Sequence, residues 1–184
     1  MKKLLMVVFC CALAAGAFAK TAGFQASLTP DIAIHDRDTR INGVSINFVG
    51  ENPQGGFALG FVNGSRDDSL GFSLGVVNYA ENYKGVQYGF VNIASGTFIG
   101  WQGGYAWLCV NYAESLMGVQ TGIVNYAGKF TGVQVGVVNY AHTVRNGVQI
   151  GLVNIMPENT WFQDFPGDLA KGMVFVNWSF GGSK

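Results

Sequence analysis

Cysteine, histidine and charged residues are all scarce in this chain of 184 residues. Of its three cysteines, Cys10 and Cys11 lie in an apolar N-terminal segment, which leaves Cys109 without a partner for an intramolecular disulfide. Only 12% of the residues are charged, and the formal net charge is zero. Because nucleic-acid binding requires a basic patch, we expect no nucleic-acid partner. The fold is expected to depend on packing and backbone hydrogen bonds.

Proline is absent from the centre of the chain. Pro30, Pro53, Pro157 and Pro166 all lie outside residues 54–156. A proline within a β-ladder removes a hydrogen-bond donor, so this distribution favours sheet between those limits. After residue 20 there is no sustained apolar period of 3.6 residues, and Gly, Val, Phe and Tyr are abundant. We therefore predict an all-β protein without long helices.

The first 19 residues have the organisation of an export signal. Met1–Lys3 is positively charged, residues 4–15 are apolar, and Ala17–Ala19 fits the small-x-small cleavage rule. The apolar run is too short to cross a bilayer as a helix, which needs about 20 residues. Cleavage before Lys20 removes two lysines and leaves 11 − 2 = 9 basic against 11 acidic residues. We expect export to the periplasm, the outer membrane or the cell surface.

A unit of about 14 residues repeats through the centre of the chain. It reads Gly, apolar, Gln, any residue, Gly, apolar, Val, Asn, Tyr or Ile, Ala, and then about four polar or turn residues. Copies begin at Gly56, Gly71, Gly85, Gly118, Gly132 and Gly147. The predicted organisation is a signal peptide at 1–19, N-terminal strands or a cap at 20–54, the repeat array at 55–156, and a C-terminal cap with a final strand at 157–184.

Alternation within the unit Gly132–Ala141 predicts which side chains face inward. A bend after Gly136 would direct the apolar residues to one side and the amides to the other. On this interpretation Val137→Asp should unfold the protein, and Cys109 is an inert core thiol. The residues expected to point inward are Val133, Val135, Val137, Val138 and Tyr140. The outward amides are expected to form structural ladders at Gln87, Gln120, Gln134, Gln149, Asn78, Asn92, Asn125, Asn139 and Asn154.

Two architectures fit the repeat. In a β-solenoid each unit is one coil, and equivalent residues stack on one another. In an antiparallel up-and-down barrel of the outer-membrane type, each unit is one strand of about 9–11 residues. The linkers between units are all short, whereas membrane barrels alternate short and long loops, so the solenoid is favoured. The interval Gln102–Asn111 is four residues longer than Gln87–Asn92 (111 − 102 against 92 − 87), and we expect this insertion at a corner.

No arrangement of residues suggests catalysis. There is no Ser-His-Asp set, paired-cysteine site or phosphate-binding glycine loop, so we expect no enzyme, no catalytic residue, no cofactor and no metal. His35, with Asp31, Asp36 and Asp38, is interpreted as part of a solvated loop with an Asp36–Arg40 ion pair. Aromatic residues that interrupt the repeat are the candidate contact surface: Trp101, Tyr105, Trp107, Trp161, Phe162 and Phe165.

The tandem Gly-Val-Gln-x-Gly-x-Val-Asn-Tyr-Ala units after a signal peptide resemble the bacterial surface repeat-containing proteins. The resemblance covers residues 41–180, including the lead-in INGVSINFVG and the closing VFVNWSF. It implies an exported, envelope-associated protein of a Gram-negative-type bacterium, and it transfers no catalytic residue. We therefore expect a non-enzymatic surface protein that serves as a scaffold or binding surface. The alternative is a small outer-membrane β-barrel, either structural or a narrow pore.

Overall fold

The computed structural model describes residues 20–105, 108–160 and 169–181, which form a β-solenoid of about seven turns. The predicted export signal, residues 1–19, lies outside the described residues. The strands are β1 (Thr21–Thr29), β2 (Ile32–Ala33), β3 (Arg40–Glu51), β4 (Gly55–Leu74), β5 (Val77–Tyr88), β6 (Val91–Gly103), β7 (Val110–Ile155) and β8 (Gly172–Phe180), and a 3-10 turn at Leu169–Lys171 precedes β8.

Parallel pairing between coils sets the topology. From β3 to β7 each strand pairs in parallel with the next, and equivalent residues of the repeat are partners. Asn78 pairs with Asn92, and Asn92 pairs with Asn111. An up-and-down barrel would require antiparallel neighbours. The predicted solenoid is therefore confirmed, and the alternative of a small β-barrel is wrong.

In two units the chain bends at the second glycine, as the repeat pattern predicts. Bends occur at residues 75–76 and 89–90, between stretches of strand. The four extra residues of the irregular copy follow Gly104, between the end of β6 at Gly103 and the start of β7 at Val110. The insertion therefore lies at the corner between two stretches of strand, where it leaves the pairing of Val110 with Val91 intact.

The interior of the solenoid is the reverse of the one predicted. Gln134 and Asn139 are 0% exposed, whereas Val137 is 46% exposed. Val133, Val135, Val138 and Tyr140 are all half-buried rather than enclosed. The prediction that these apolar side chains point inward and the amides outward is therefore wrong. The expectation that Val137→Asp unfolds the protein rested on that orientation and loses its physical basis.

A smaller apolar core lies beside the amides, under the polar linkers. It is built from the alanine that ends each motif and from a large residue in each linker. This core consists of Ala80, Tyr83, Ala94, Phe98, Ala113, Leu116, Ala127, Phe130, Ala141, Val144 and Met156. Its side chains also stack between coils: the rings of Tyr83 and Phe98 lie 6.1 Å apart and nearly parallel.

Two glycines in each unit are required by the close stacking of coils. Gly132 has φ of 136°, a conformation that L side chains rarely adopt, and a Cβ there would meet the Gly118 carbonyl. A Cβ on Gly136 would meet the Gly122 carbonyl and would lie 2.6 Å from Nδ2 of Asn125. The periodic glycines are therefore explained by packing.

The two ends of the stack differ from the regular coils. At the N-terminal end, β1 pairs in parallel with β3 and antiparallel with the short β2. At the C-terminal end, β8 runs antiparallel to the last coil of β7, with Val148 opposite Trp178 and Ile155 opposite Gly172. Residues 161–168, which belong to the predicted cap, lie outside the described part of the chain.

Candidate functional site

A column of asparagine amides runs through the interior of the solenoid. Most of these amides are oriented by a second hydrogen bond to the backbone; for example, Asn125 Nδ2 also donates to the Val135 carbonyl at 3.0 Å. From coil to coil, each Nδ2 donates to the next Oδ1 at 2.8–3.1 Å. The column comprises Asn47, Asn63, Asn78, Asn92, Asn111, Asn125, Asn139 and Asn154.

The asparagine column begins in a coil where Asn and Gly have exchanged places. Gly50 pairs with Asn63, and Asn47 pairs with Gly60. Asn47 nevertheless reaches the column, because its Nδ2 donates to Asn63 Oδ1 at 3.1 Å and its Oδ1 accepts from Ser27 at 2.7 Å. A Cβ on Gly50 would meet the Asn47 side chain, so the asparagine at position 47 requires a glycine at position 50.

A second column, of glutamine amides, is hydrogen-bonded in the opposite direction. Gln134 Nε2 donates to Oε1 of Gln120, in the preceding coil, at 2.8 Å, and also to the Tyr140 carbonyl at 3.2 Å. Among the described residues, Gln149 Oε1 at the end of the column has no hydrogen-bond partner. The column comprises Gln87, Gln102, Gln120, Gln134 and Gln149.

These amides are structural rather than ligand-binding groups. From Asn78 to Asn154 and from Gln87 to Gln149 their exposure does not exceed 1%, so a solvent-borne ligand does not reach them. Buried amides are tolerated when their donors and acceptors are paired, which the two columns achieve by stacking at the strand spacing of about 4.8 Å. A candidate site must therefore be sought on the outside of the coils.

Three columns of outward side chains form a continuous surface, which we call the apolar face. None of its residues is charged, and all are exposed or half-buried. Its first column is Val44, Phe57, Phe72, Val86, Trp101, Val119, Val133 and Val148; its second is Ile46, Leu59, Leu74, Tyr88, Thr121, Val135 and Ile150; its third, at the bend, is Phe48, Phe61, Val76, Phe90, Ile123, Val137 and Leu152. In the irregular coil the register places the buried Cys109 at the third-column position, and the neighbouring Leu108 completes the column because it is exposed and lines the same surface as Ile123.

The apolar face has an aromatic half and an aliphatic half. All of its aromatic residues lie at or before residue 101, and they stack along the columns, as Phe48 does on Phe61 at 5.6 Å between ring centroids. The C-terminal coils carry only aliphatic residues and one threonine on this face, and they leave a groove of about 550 Å³. The groove is lined by Leu108, Gly122, Ile123, Val135, Gly136, Val137, Ile150 and Gly151.

The structure brings two of the predicted contact residues together. Trp101 is 38% exposed and Tyr105 is 44% exposed, and both rings pack against Tyr88, with centroids at 5.9 and 4.9 Å. Phe90 lies 5.4 Å from Tyr105, and Trp101 Nε1 donates to the Thr121 hydroxyl at 2.9 Å. Trp101, Tyr88 and Phe90 belong to the apolar face, and Tyr105 extends them into an exposed aromatic cluster. The other predicted contact residues, Trp107, Trp161, Phe162 and Phe165, lie outside the described residues.

The opposite side of the bend carries valines and a stack of tyrosines. The rings of Tyr112, Tyr126 and Tyr140 lie 5.0 and 5.1 Å apart and are almost parallel. The Tyr112 hydroxyl donates to Glu114, and burial together with this carboxylate raises the pKa of Tyr112. The tyrosines thus mark the change from apolar residues to the polar linkers that carry the charges of the array.

The acidic loop around His35 is held by ion pairs and backbone contacts. Asp36 pairs with Lys20 at 2.9 Å, and Arg37 pairs with Asp31 at 2.7 Å, so the predicted Asp36–Arg40 pair is wrong. Arg40 instead donates to the carbonyls of Gln54 and Asp68. In the described part of the chain, no group of three or more His, Cys, Asp or Glu is placed to hold a metal ion.

Two buried groups could in principle be reactive, and both are held in their protonated forms. Cys109 is 2% exposed, its thiol donates to the Thr121 carbonyl at 2.9 Å, and burial raises its pKa. Burial also raises the pKa of Tyr83, whose hydroxyl has no hydrogen-bond partner among the described residues. A thiol with a raised pKa is a poor nucleophile at neutral pH, in agreement with a core role for Cys109.

The sequence contains a signal that would have identified the inside of the solenoid. The position of the asparagine column holds the same residue in coil after coil, from Asn63 to Asn154, and every member bonds to its neighbours. Size alone does not separate inside from outside, because the buried linker column varies from Phe98 to Val144 and the apolar face from Val133 to Trp101. An amide that recurs unchanged in coil after coil therefore indicates the inside.

Comparisons with family models, with curated proteins and with solved structures gave no match to this chain. Within the described ranges, no helix is both long and apolar enough to cross a membrane.

Proposed function

We propose that the protein is an exported, non-enzymatic component of the bacterial cell envelope that serves as a scaffold with a binding surface. The observation that carries this proposal is the apolar face. Its third column alone contributes seven large side chains that are each about half exposed, or on the order of 600 Å² of apolar surface. Monomeric proteins rarely expose a larger contiguous patch than this unless it contacts a partner.

The chemistry of the interior supports a structural rather than a catalytic role. Its polar groups are carboxamides, which neither gain nor lose protons near neutral pH, so they do not provide general acid–base catalysis. Their hydrogen bonds run from coil to coil and use the groups that a ligand would require. Each coil is therefore specialised for stacking on the next, as in other repeat scaffolds.

Export is supported by the sequence of residues 1–19, with its basic start, apolar run and Ala17-Phe18-Ala19 ending. The proposed location is the periplasm, the outer membrane or the cell surface. A small outer-membrane barrel is no longer a candidate, because neighbouring strands run in parallel through stacked coils.

Fractionation of bacteria that produce the full chain tests the proposal. We expect a product that begins at Lys20 in the envelope fraction, and a longer, uncleaved chain when Ala19→Arg blocks processing. Val137→Lys should release the protein from the envelope into the soluble exported fraction. Its matched control is Val110→Lys, which changes a valine that is equally exposed, at 46%, but lies outside the apolar face.

Two results would contradict the proposal. Unprocessed wild-type protein that stays in the cytoplasm would rule out the exported role. Envelope retention that is the same for Val137→Lys, Val110→Lys and the wild type would show that the apolar face is not the binding surface.

A further inference from the structure

The apolar face is self-complementary along the axis of the solenoid. Its N-terminal coils expose rings, including Phe48, Phe57 and Phe61, whereas its C-terminal coils carry the groove between Val135 and Val137. The same chain thus presents projecting side chains at one end of the face and a depression at the other. A lipid surface, which is fluid, would not require projecting side chains at one end of the face and a groove at the other.

We propose that the apolar face binds the apolar face of a second copy of this chain, with the two solenoid axes antiparallel. A two-fold axis along the strand direction reverses the order of the coils and keeps equivalent columns opposite each other. The aromatic half of each copy then lies on the aliphatic half of the other. Both grooves are filled at the same time, as an isologous interface requires. This inference rests on the proposed binding role of the apolar face.

The area of the face is sufficient for a stable dimer. The face has eight rows, from Val44 to Val148, which are separated by seven turns of about 4.8 Å and so extend for about 34 Å, and a stretch of about six residues at 3.3 Å each gives a width of about 20 Å. The footprint is therefore about 700 Å² per copy, or about 1,400 Å² in total, within the range of about 1,200–2,000 Å² that specific interfaces bury. Two β-sheets packed in this way would lie about 10 Å apart, as in a β-sandwich.

The absence of charge on the face also suits a second copy. Across the two-fold axis no column brings like charges together, because none of the three columns contains a charged residue. The charges of the array lie in the linkers instead, for example at Lys129 and Arg145, and would remain in water in the dimer. The interface thus has the apolar centre and polar surroundings of a protein–protein contact.

The antiparallel arrangement specifies which residues meet. The third column has eight residues, of which Phe61 is the second and Val137 the seventh. Reversing the order of the rows places the second row of one copy opposite the seventh row of the other, so Phe61 lies opposite Val137 of the second copy. Phe61 is 53% exposed in the single chain, and Val137 lines the groove. A charge introduced at either position would be buried without a partner in the dimer.

Sedimentation of the chain from Lys20 to Lys184, without detergent, tests the inference. The wild type should be a dimer at a concentration of about 10 µM. Phe61→Lys and Val137→Glu should each weaken dimerisation by at least about tenfold, and an equimolar mixture of the two should recover it because opposite charges then meet. Val110→Lys should remain dimeric, and far-ultraviolet circular dichroism should show unchanged β-structure in every variant.

Three outcomes would overturn the inference. The first is a monomeric wild type at that concentration. The second is equal disruption by Val110→Lys, or a mixture of Phe61→Lys and Val137→Glu that stays monomeric. The third is a wild type that floats as a monomer with phosphatidylcholine vesicles and loses this binding on Val137→Lys, which would identify a lipid surface as the occupant. A monomer retained in the envelope would leave the proposed function intact, whereas a dimer that is never exported would refute only that function.

Discussion

Replacing Asn125 by alanine is the most direct test of an interior held together by amides. The Asn125 side chain accepts from Asn111 Nδ2 at 2.8 Å and donates to Asn139 Oδ1 at 2.8 Å and to the Val135 carbonyl at 3.0 Å. Truncation leaves Asn139 Oδ1 without its donor, and it removes the bonds to Asn111 Nδ2, which keeps the Thr121 carbonyl at 3.1 Å, and to the Val135 carbonyl. An unpaired buried acceptor costs about 1–3 kcal/mol and each lost hydrogen bond about 0.5–1.5 kcal/mol, so we expect a loss of about 2–6 kcal/mol of stability.

The matched control is Val137→Ala, which removes a similar volume from the apolar face. Because Val137 is already 46% exposed, the truncation should cost only about 0.5–1 kcal/mol. Guanidinium unfolding followed by circular dichroism would measure both losses. Since repeat proteins can unfold coil by coil, hydrogen exchange at the Val135 and Asn139 amides should also report local opening in Asn125→Ala.

An interior of amides and an interior of valines predict opposite orders for the stability lost in Asn125→Ala and in Val137→Ala. With valines inside, Val137→Ala would leave a cavity and cost more than Asn125→Ala, which would then be a surface change. A larger loss for Val137→Ala would therefore refute the assignment of amides to the interior. A second check is Asn125→Leu, which restores volume but not hydrogen bonds and should remain destabilised.

Three further predictions concern other positions in the stack. Gly136→Ala should cost about 2–4 kcal/mol of stability in guanidinium unfolding, because its Cβ would meet a backbone carbonyl. Gly172→Ala, whose Cβ would have no atom within 4 Å, should change stability by less than about 0.5 kcal/mol. Equal effects of the two substitutions would contradict the close stacking. In the same assay Gln134→Leu should be more destabilising than Gln149→Leu by about 1–2 kcal/mol, since Gln149 Oε1 is already unpaired, and the reverse order would be incompatible with the column. Cys109 should react with a thiol reagent at neutral pH at least about tenfold more slowly in the folded than in the unfolded chain, because burial raises its pKa, and rapid labelling of folded protein would exclude a core position.

The sequence was sufficient to predict the topology but not the interior. The constant spacing of the units and the short linkers predicted parallel stacking, and the bends at Gly75 and Gly89 and the corner insertion near Gly104 follow from the same pattern. The assignment of faces failed because a bend that places Val137 and Val138 on one side is equally consistent with either side being the inside. The rule that apolar residues are buried then selected the wrong side.

The predicted contact residues illustrate a second limit of sequence reasoning. Trp101 and Tyr105 lie where the repeat is interrupted, and the structure places them in one exposed cluster with Tyr88 and Phe90. An interruption of the repeat does not reveal the larger apolar face, to which Trp101 belongs, because most residues of that face follow the regular pattern. For Trp107, Trp161, Phe162 and Phe165 a contact role stays a prediction.

The composition of the columns supports the proposed binding role of the apolar face. Equivalent positions in the linkers are free to be polar, and they hold residues as different as Lys84, Ile99, Met117, Thr131 and Arg145. Equivalent positions on the apolar face vary in size but not in polarity, apart from Thr121 and Gly103. Stacking alone explains constancy of the buried amides, but it gives no reason to exclude charge from an outer surface. Contact with an apolar partner gives such a reason, because a charged side chain buried in that contact would lose its hydration without gaining a counterion.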